Sequence, residues 1–177
     1  MDTYLLKWTH LEHEVFLLLS IHAGEKLSQR EIAKILKMSP TTVSNCVINL
    51  KDIVNIEKTK TINFISLNRD DKKAIQLKRA ENFRNIYIFG LADYLEQELP
   101  GSTILLFGSY SLGEDTLGSD IDIAVIGRKE KELSFDKYEK LFQRKVNVNF
   151  YGSWKKINEN LKNNILNGIV IHGSVEL

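Results

Sequence analysis

A mixed α+β chain, with a small helical module ahead of a sheet-containing one, is predicted by three features of the sequence. Three short apolar segments at helical spacing, each of the last two with its own start signal, fill the first third; a long helical stretch stops at Pro100-Gly101; and beyond it two apolar strand-like runs flank a Gly-Ser turn. Helices and strands repeat with different periods, about 3.6 and 2 residues, so the patterns separate the two modules without further information. At 177 residues and 43% hydrophobic, the chain holds enough apolar surface for two small cores. The expected divisions are 1–68, a connecting helix over 69–101, and 102–177.

Leu11 to Ile21 reads as the first helix, Leu27 to Met38 as the second and Ser39 to Asp52 as the third. Ser28 and Glu31 form an S-x-x-E capping box, in which each side chain accepts from the other residue's free N–H. Ser39 caps the third helix and Pro40 takes its first position, where a missing N–H costs nothing. Ile32, Ala33, Ile35 and Leu36 give the second helix an apolar stripe, and Val43, Cys46, Val47 and Leu50 give one to the third. Ile56 to Leu67 then reads as two strands around a basic tip.

This arrangement resembles the winged helix-turn-helix of many prokaryotic regulators. The resemblance implies that the third helix enters the major groove of double-stranded DNA. Thr41, Thr42, Ser44, Asn45 and Asn49 would then offer hydroxyls and amides to base edges. Arg30, Lys34, Lys37, Lys51, Lys58 and Lys60 would meet phosphates, which supply affinity rather than sequence information. The alternative is a three-helix module used for protein contact, since the outward face of the third helix has no arginine.

Asp70 to Leu99 is expected to be helical, ending at Pro100-Gly101. Phe83, Ile86, Tyr87, Gly90, Leu91, Tyr94 and Leu95 give it a broad apolar face, suited to packing on the second domain or on a twin subunit. A homodimer through this helix would suit a reader of paired half-sites.

Thr103 to Phe107 forms a strand running into Gly108-Ser109, and Ile121 to Ile126 forms another leaving it. Alternation sends Ile121, Ile123 and Val125 to one face and Asp120, Asp122 and Ala124 to the other. Two carboxylates roughly 6–7 Å apart along one strand face can share divalent cations, and magnesium is commonly held by such a pair together with substrate phosphates. Gly108 permits close approach of a phosphate, and Ser109 opens a short helical turn with free N–H groups. The plain alternative is a pair of turn glycines beside a solvated strand end.

These residues resemble the minimal nucleotidyltransferase domains of the DNA polymerase beta superfamily, whose signature is Gly-Ser, about a dozen residues, then Asp-x-Asp within a strand. Gly108, Ser109, Asp120 and Asp122 match it, and the resemblance spans roughly Ser102 to Gly173. It implies transfer of a nucleoside monophosphate from NTP, with Asp120 and Asp122 holding magnesium or manganese and Gly108, Ser109 and Ser119 at the triphosphate. Two positions depart from the pattern. Leu112 stands where a basic residue is common, and Asn147 stands where a third carboxylate is expected on a neighbouring strand. An amide can ligate a metal through its oxygen but cannot accept a proton as a general base must, so nucleotide binding is better supported than turnover.

After Val125 the order expected is a loop, a helix (Ser134 to Arg144), a strand (Lys145 to Tyr151), a helix (Trp154 to Asn167) and a last strand, Ile169 to Gly173, making a mixed sheet with helices on one side. The lysine-rich loop Gly127 to Leu133 is a solvated loop or a further contact to phosphates. Formal net charge is only +1, so any DNA affinity must come from a local patch. The single cysteine, Cys46, rules out an intrachain disulfide and fits a reducing cytoplasm. The run Val15 to Leu19 is too short for a membrane span and lacks a cleavable-signal layout. Three readings stay open: a DNA-tethered nucleotidyltransferase, a regulator with a nucleotide-sensing domain, and an antitoxin-like partner of a helical protein.

Overall fold

The computed structural model describes residues 8–176; residues 1–7 of the first expected domain and residue 177 of the last lie outside the described residues. The chain divides into two compact units, one ending at Ile75 and the other beginning at Gln76.

The first unit carries α1 (His10–Ile21), β1 (Leu27–Ser28), α2 (Gln29–Ile35), α3 (Pro40–Asn49), β2 (Val54–Lys58) and β3 (Asn63–Leu67). Its helices begin at the caps the sequence announces. Glu31 N–H donates to Ser28 Oγ at 3.2 Å and Ser28 N–H to Glu31 at 2.7 Å, and Ser39 Oγ accepts from Thr42 N–H at 3.0 Å ahead of Pro40. Thr9 and Glu12 form a further capping box at the head of α1. The strands form an antiparallel sheet of order β1-β3-β2, with β2 and β3 a hairpin turning at 59–62.

Two details differ from expectation. Leu27 and Ser28 pair with Ile65 and Phe64 as a short strand, so the second helix starts only at Gln29. Ile35 is 49% exposed. The buried face of α2 is centred between Ile32 and Ala33, where Leu36 also falls; at ~100° per residue Ile35 lies about 110° round from that centre. Cys46 is buried with Val43, Val47 and Leu50, a small apolar residue in the core.

The expected connecting helix is present as α4 (Lys72–Ile88) and α5 (Leu91–Glu98), separated at Gly90, whose left-handed backbone (φ 76) ends one helix and starts the next. The second unit continues with β4 (Thr103–Phe107), α6 (Gly108–Leu112), β5 (Ile121–Ile126), α7 (Asp136–Phe142), β6 (Val146–Tyr151), a 3₁₀ turn (Trp154–Lys156), α8 (Glu159–Leu166) and β7 (Ile169–His172). The sheet order is β6-β5-β4-β7; β5 and β6 are parallel and the other pairs antiparallel.

Helices cover both faces of this sheet, not one. Ile104, Leu106, Ile121, Ile123 and Val125 pack with Ile86, Leu91, Leu95, Tyr138 and Phe142, which places the apolar side of α5 in the core of this unit. On the reverse face Leu105, Phe107, Ala124 and Ile126 meet Trp154, Ile157 and Ile165. The helix expected from Trp154 to Asn167 is broken because Ile157 is extended and Asn158 caps α8, accepting from Leu161 N–H at 2.9 Å. Among the described residues no helix is long and apolar enough to cross a membrane.

Candidate functional site

Antiparallel pairing of β4 with β5 sets Phe107 opposite Asp122, so the chain leaves β4 directly beside that carboxylate. Gly108 turns there with φ 72, and a Cβ at this position would lie 2.6 Å from Asp122 Oδ2. Backbone conformation and space both demand glycine. Ser109 follows in α6, and Ser111 Oγ donates to Gly108 O at 2.8 Å, tightening the turn.

Asp120 immediately precedes β5 and Asp122 lies within it, while parallel pairing sets Asn147 of β6 opposite Asp122. Asn147 Nδ2 donates to Asp120 Oδ2 at 2.9 Å and reaches Asp122 Oδ1 at 3.5 Å. One amide thus bridges two carboxylates. Burial pushes the Asp122 carboxyl above its ordinary pKa; the Asn147 N–H opposes this, and the charge of Asp120 adds to it. Asn149 is exposed on the same strand face, two residues further along β6. Ser119 lies next to Asp120, but its Oγ accepts from Thr116 N–H at 2.9 Å and so serves the loop.

Among the described residues, no group of three or more His, Cys, Asp or Glu side chains is gathered where it could hold a metal ion. A cation here would have Asp120 and Asp122 as its carboxylate ligands, with the Asn147 amide turned to present oxygen. That hard-oxygen set suits a divalent ion which keeps its remaining positions for phosphate or water.

A charged centre that sequence reasoning missed lies behind the loop between α6 and β5. Asp115 is fully buried and ion-paired with Lys78 of α4, and with Arg144 Nη2 at 2.8 Å. Asn82 Nδ2 donates to Asp115 at 2.7 Å and to the Tyr110 carbonyl at 2.9 Å. Arg144 also donates to the carbonyls of Thr116 and Ser119, the latter at 2.9 Å, one residue before Asp120. The sequence holds a faint signal, Lys78 and Asn82 spaced i, i+4 on one helix face, but their common partner is 37 and 33 residues away.

In the first unit, Arg30 of α2 and Lys60 of the hairpin tip line one cleft of about 330 Å³, together with Pro40 at the start of α3. Ser44 and Lys58 line a smaller one of about 150 Å³, with the exposed Ile48. Lys34 and Lys51 are exposed but line neither cleft. Thr41 and Asn45 are exposed on α3, Thr42 is engaged with Ser39 through its hydroxyl at 2.8 Å, and Asn49 donates to Glu12 of α1. Asn49 is therefore a tie between helices as well as an outward amide.

Residues 89–175 match the family model for a nucleotidyltransferase domain. Among solved structures, the chain is similar to one described as the crystal structure of the S. aureus MepR-DNA complex, at 25% identity over 51% of this chain and 71% of that chain, with a TM-score of 0.39. No curated protein matches it.

Proposed function

We propose that this protein binds a nucleoside triphosphate together with a divalent cation in its second unit and binds duplex DNA through its first. The observation that carries the nucleotide reading is the convergence of Asp120, Asp122 and Asn147 beside an obligatory glycine, within the segment that matches a nucleotidyltransferase domain. In this reading Asp120 and Asp122 hold the cation, which neutralises phosphate charge when bound, and Gly108 and Ser109 receive the triphosphate. Ser119 supports this arrangement through the loop. For the first unit, support comes from Arg30 and Lys60 gathered beside the start of α3, and Ser44 beside Lys58.

Titration calorimetry tests the nucleotide site. Magnesium ATP should bind the native chain, and the Asp120→Ala, Asp122→Ala double variant should lose that binding; equal affinity in both would remove the assignment. A second reading, a DNA-bound regulator that senses nucleotide without efficient transfer, is favoured by one observation: the third position holds an amide that donates to both carboxylates, and an amide cannot serve as general base.

A further inference from the structure

α3 presents a stripe that its own core does not use. Thr41, Ser44, Asn45 and Ile48 stand at i, i+3, i+4 and i+7, so they share one face of the helix, opposite the buried Val43, Cys46, Val47 and Leu50. The hydroxyls and the amide of this stripe take no partner among the described residues, whereas Thr42 is held by Ser39 and Asn49 by Glu12. Ile48 is 59% exposed, a branched apolar side chain left in water beside polar neighbours. No charged residue occurs in Pro40–Asn49. Cations stand beside both ends of the stripe instead: Arg30 and Lys60 by Pro40, and Lys58 in the small cleft that Ser44 and Ile48 share with Ile56. The acids of the flanking α2 and β2 are engaged elsewhere, Glu31 with the Ser28 N–H and Glu57 with Lys26.

We infer that this stripe reads adjoining A·T base pairs in the major groove, Asn45 pairing its amide with adenine and Ile48 packing on a thymine methyl. The inference rests on the reading of the first unit as a binder of duplex DNA and supplies its sequence class. Chemistry selects the bases. Adenine offers N7 and its N6 amino group to one amide, thymine alone carries a methyl in that groove, and guanine and cytosine are read best by basic and acidic side chains, which α3 lacks. Spacing agrees: three residues rise about 4.5 Å along a helix axis, close to the ~3.4 Å step between base pairs. The cations at either end suit the phosphates that border the groove.

Fluorescence anisotropy of the full chain on labelled duplexes of alternating A·T, A·U, I·C and G·C sequence tests it. The A·U duplex lacks only the methyl, and I·C keeps the minor groove of A·T while showing the major-groove pattern of G·C. The native chain should prefer A·T over G·C and I·C by about tenfold or more, and over A·U by several-fold. Ile48→Ala should bind A·T and A·U alike, and Asn45→Ala should lose most of the preference over I·C; both residues are exposed, so the fold is spared. Neither change removes a phosphate contact, so both variants should keep the native slope of log K against log salt. Equal native affinities for A·T and A·U overturn the inference. So does I·C bound as tightly as A·T, which would place the readout in the minor groove, or a preference for G·C, which would give it to Lys58. Binding of all the duplexes alike discards the stripe's role and leaves the DNA reading standing; binding of none at low salt removes that reading as well.

Discussion

Asn147 joins Asp120 and Asp122 by donating to both, which relieves the repulsion of two neighbouring carboxylates when no cation is present. Its position was legible in the sequence because alternation along Val146–Tyr151 leaves Asn147 and Asn149 on one face. The amide's use as a bridge was not, because hydrogen-bond direction depends on the register with β5. Asn147→Asp should raise any measurable nucleotide transfer, by up to the 10²–10⁴-fold typical of a general base, read with labelled NTP; vigorous transfer by the native chain, indifferent to this change, would show that the base lies elsewhere. Asp122 supplies a pH prediction. Its folded pKa is raised, so between the ordinary carboxylate value and the raised one the native state binds more protons than the unfolded state. Its contribution to stability without metal therefore falls as pH rises through that window, while cation-dependent nucleotide binding strengthens over the same window. Denaturant midpoints and calorimetry across that pH range should move in opposite directions, and Asp122→Asn should flatten both trends.

At the scale of elements, the loop from Gly113 to Ser119 is held from behind by α4 and by Arg144 just before β6. The strands and the Gly-Ser turn were readable because their periodicity is local. The clamp was not, because Lys78, Asp115 and Arg144 come from three separate segments, and each alone looks like an ordinary surface charge. Breaking a buried ion pair by removing one partner typically costs about 3–5 kcal/mol, because it strands the other charge. Asp115→Asn should accordingly lower unfolding stability by about that amount in guanidinium titration. Its nucleotide affinity should fall too, since Arg144 then loses the partner that orients it against the Ser119 carbonyl. A variant as stable as the native chain would mean that solvent reaches these cations. The break in the connecting helix is a milder case: Gly90 was visible, but it was read as part of an apolar face and not as a left-handed stop.

At the scale of the whole molecule, two units with separate buried residues predict ligand-specific stabilisation. A ligand that binds only the native form adds about 2.7 kcal/mol at a hundredfold excess over its Kd. In hydrogen exchange, magnesium ATP should slow the amides of β4, β5 and β6, while duplex DNA should slow those of α3 and the β2–β3 hairpin. Protection by DNA confined to the second unit would reassign the DNA reading. The parallel partnership of β5 and β6 also carries a temporal consequence. A ribosome that has just added the last residue of the first unit has yet to make either aspartate, and one that has just added Asp122 must still add the crossover through α7 before Asn147 exists. Domains fold as units, the N-terminal one first during synthesis. The nascent chain can therefore complete the unit proposed to meet DNA while its nucleotide site is still unwritten.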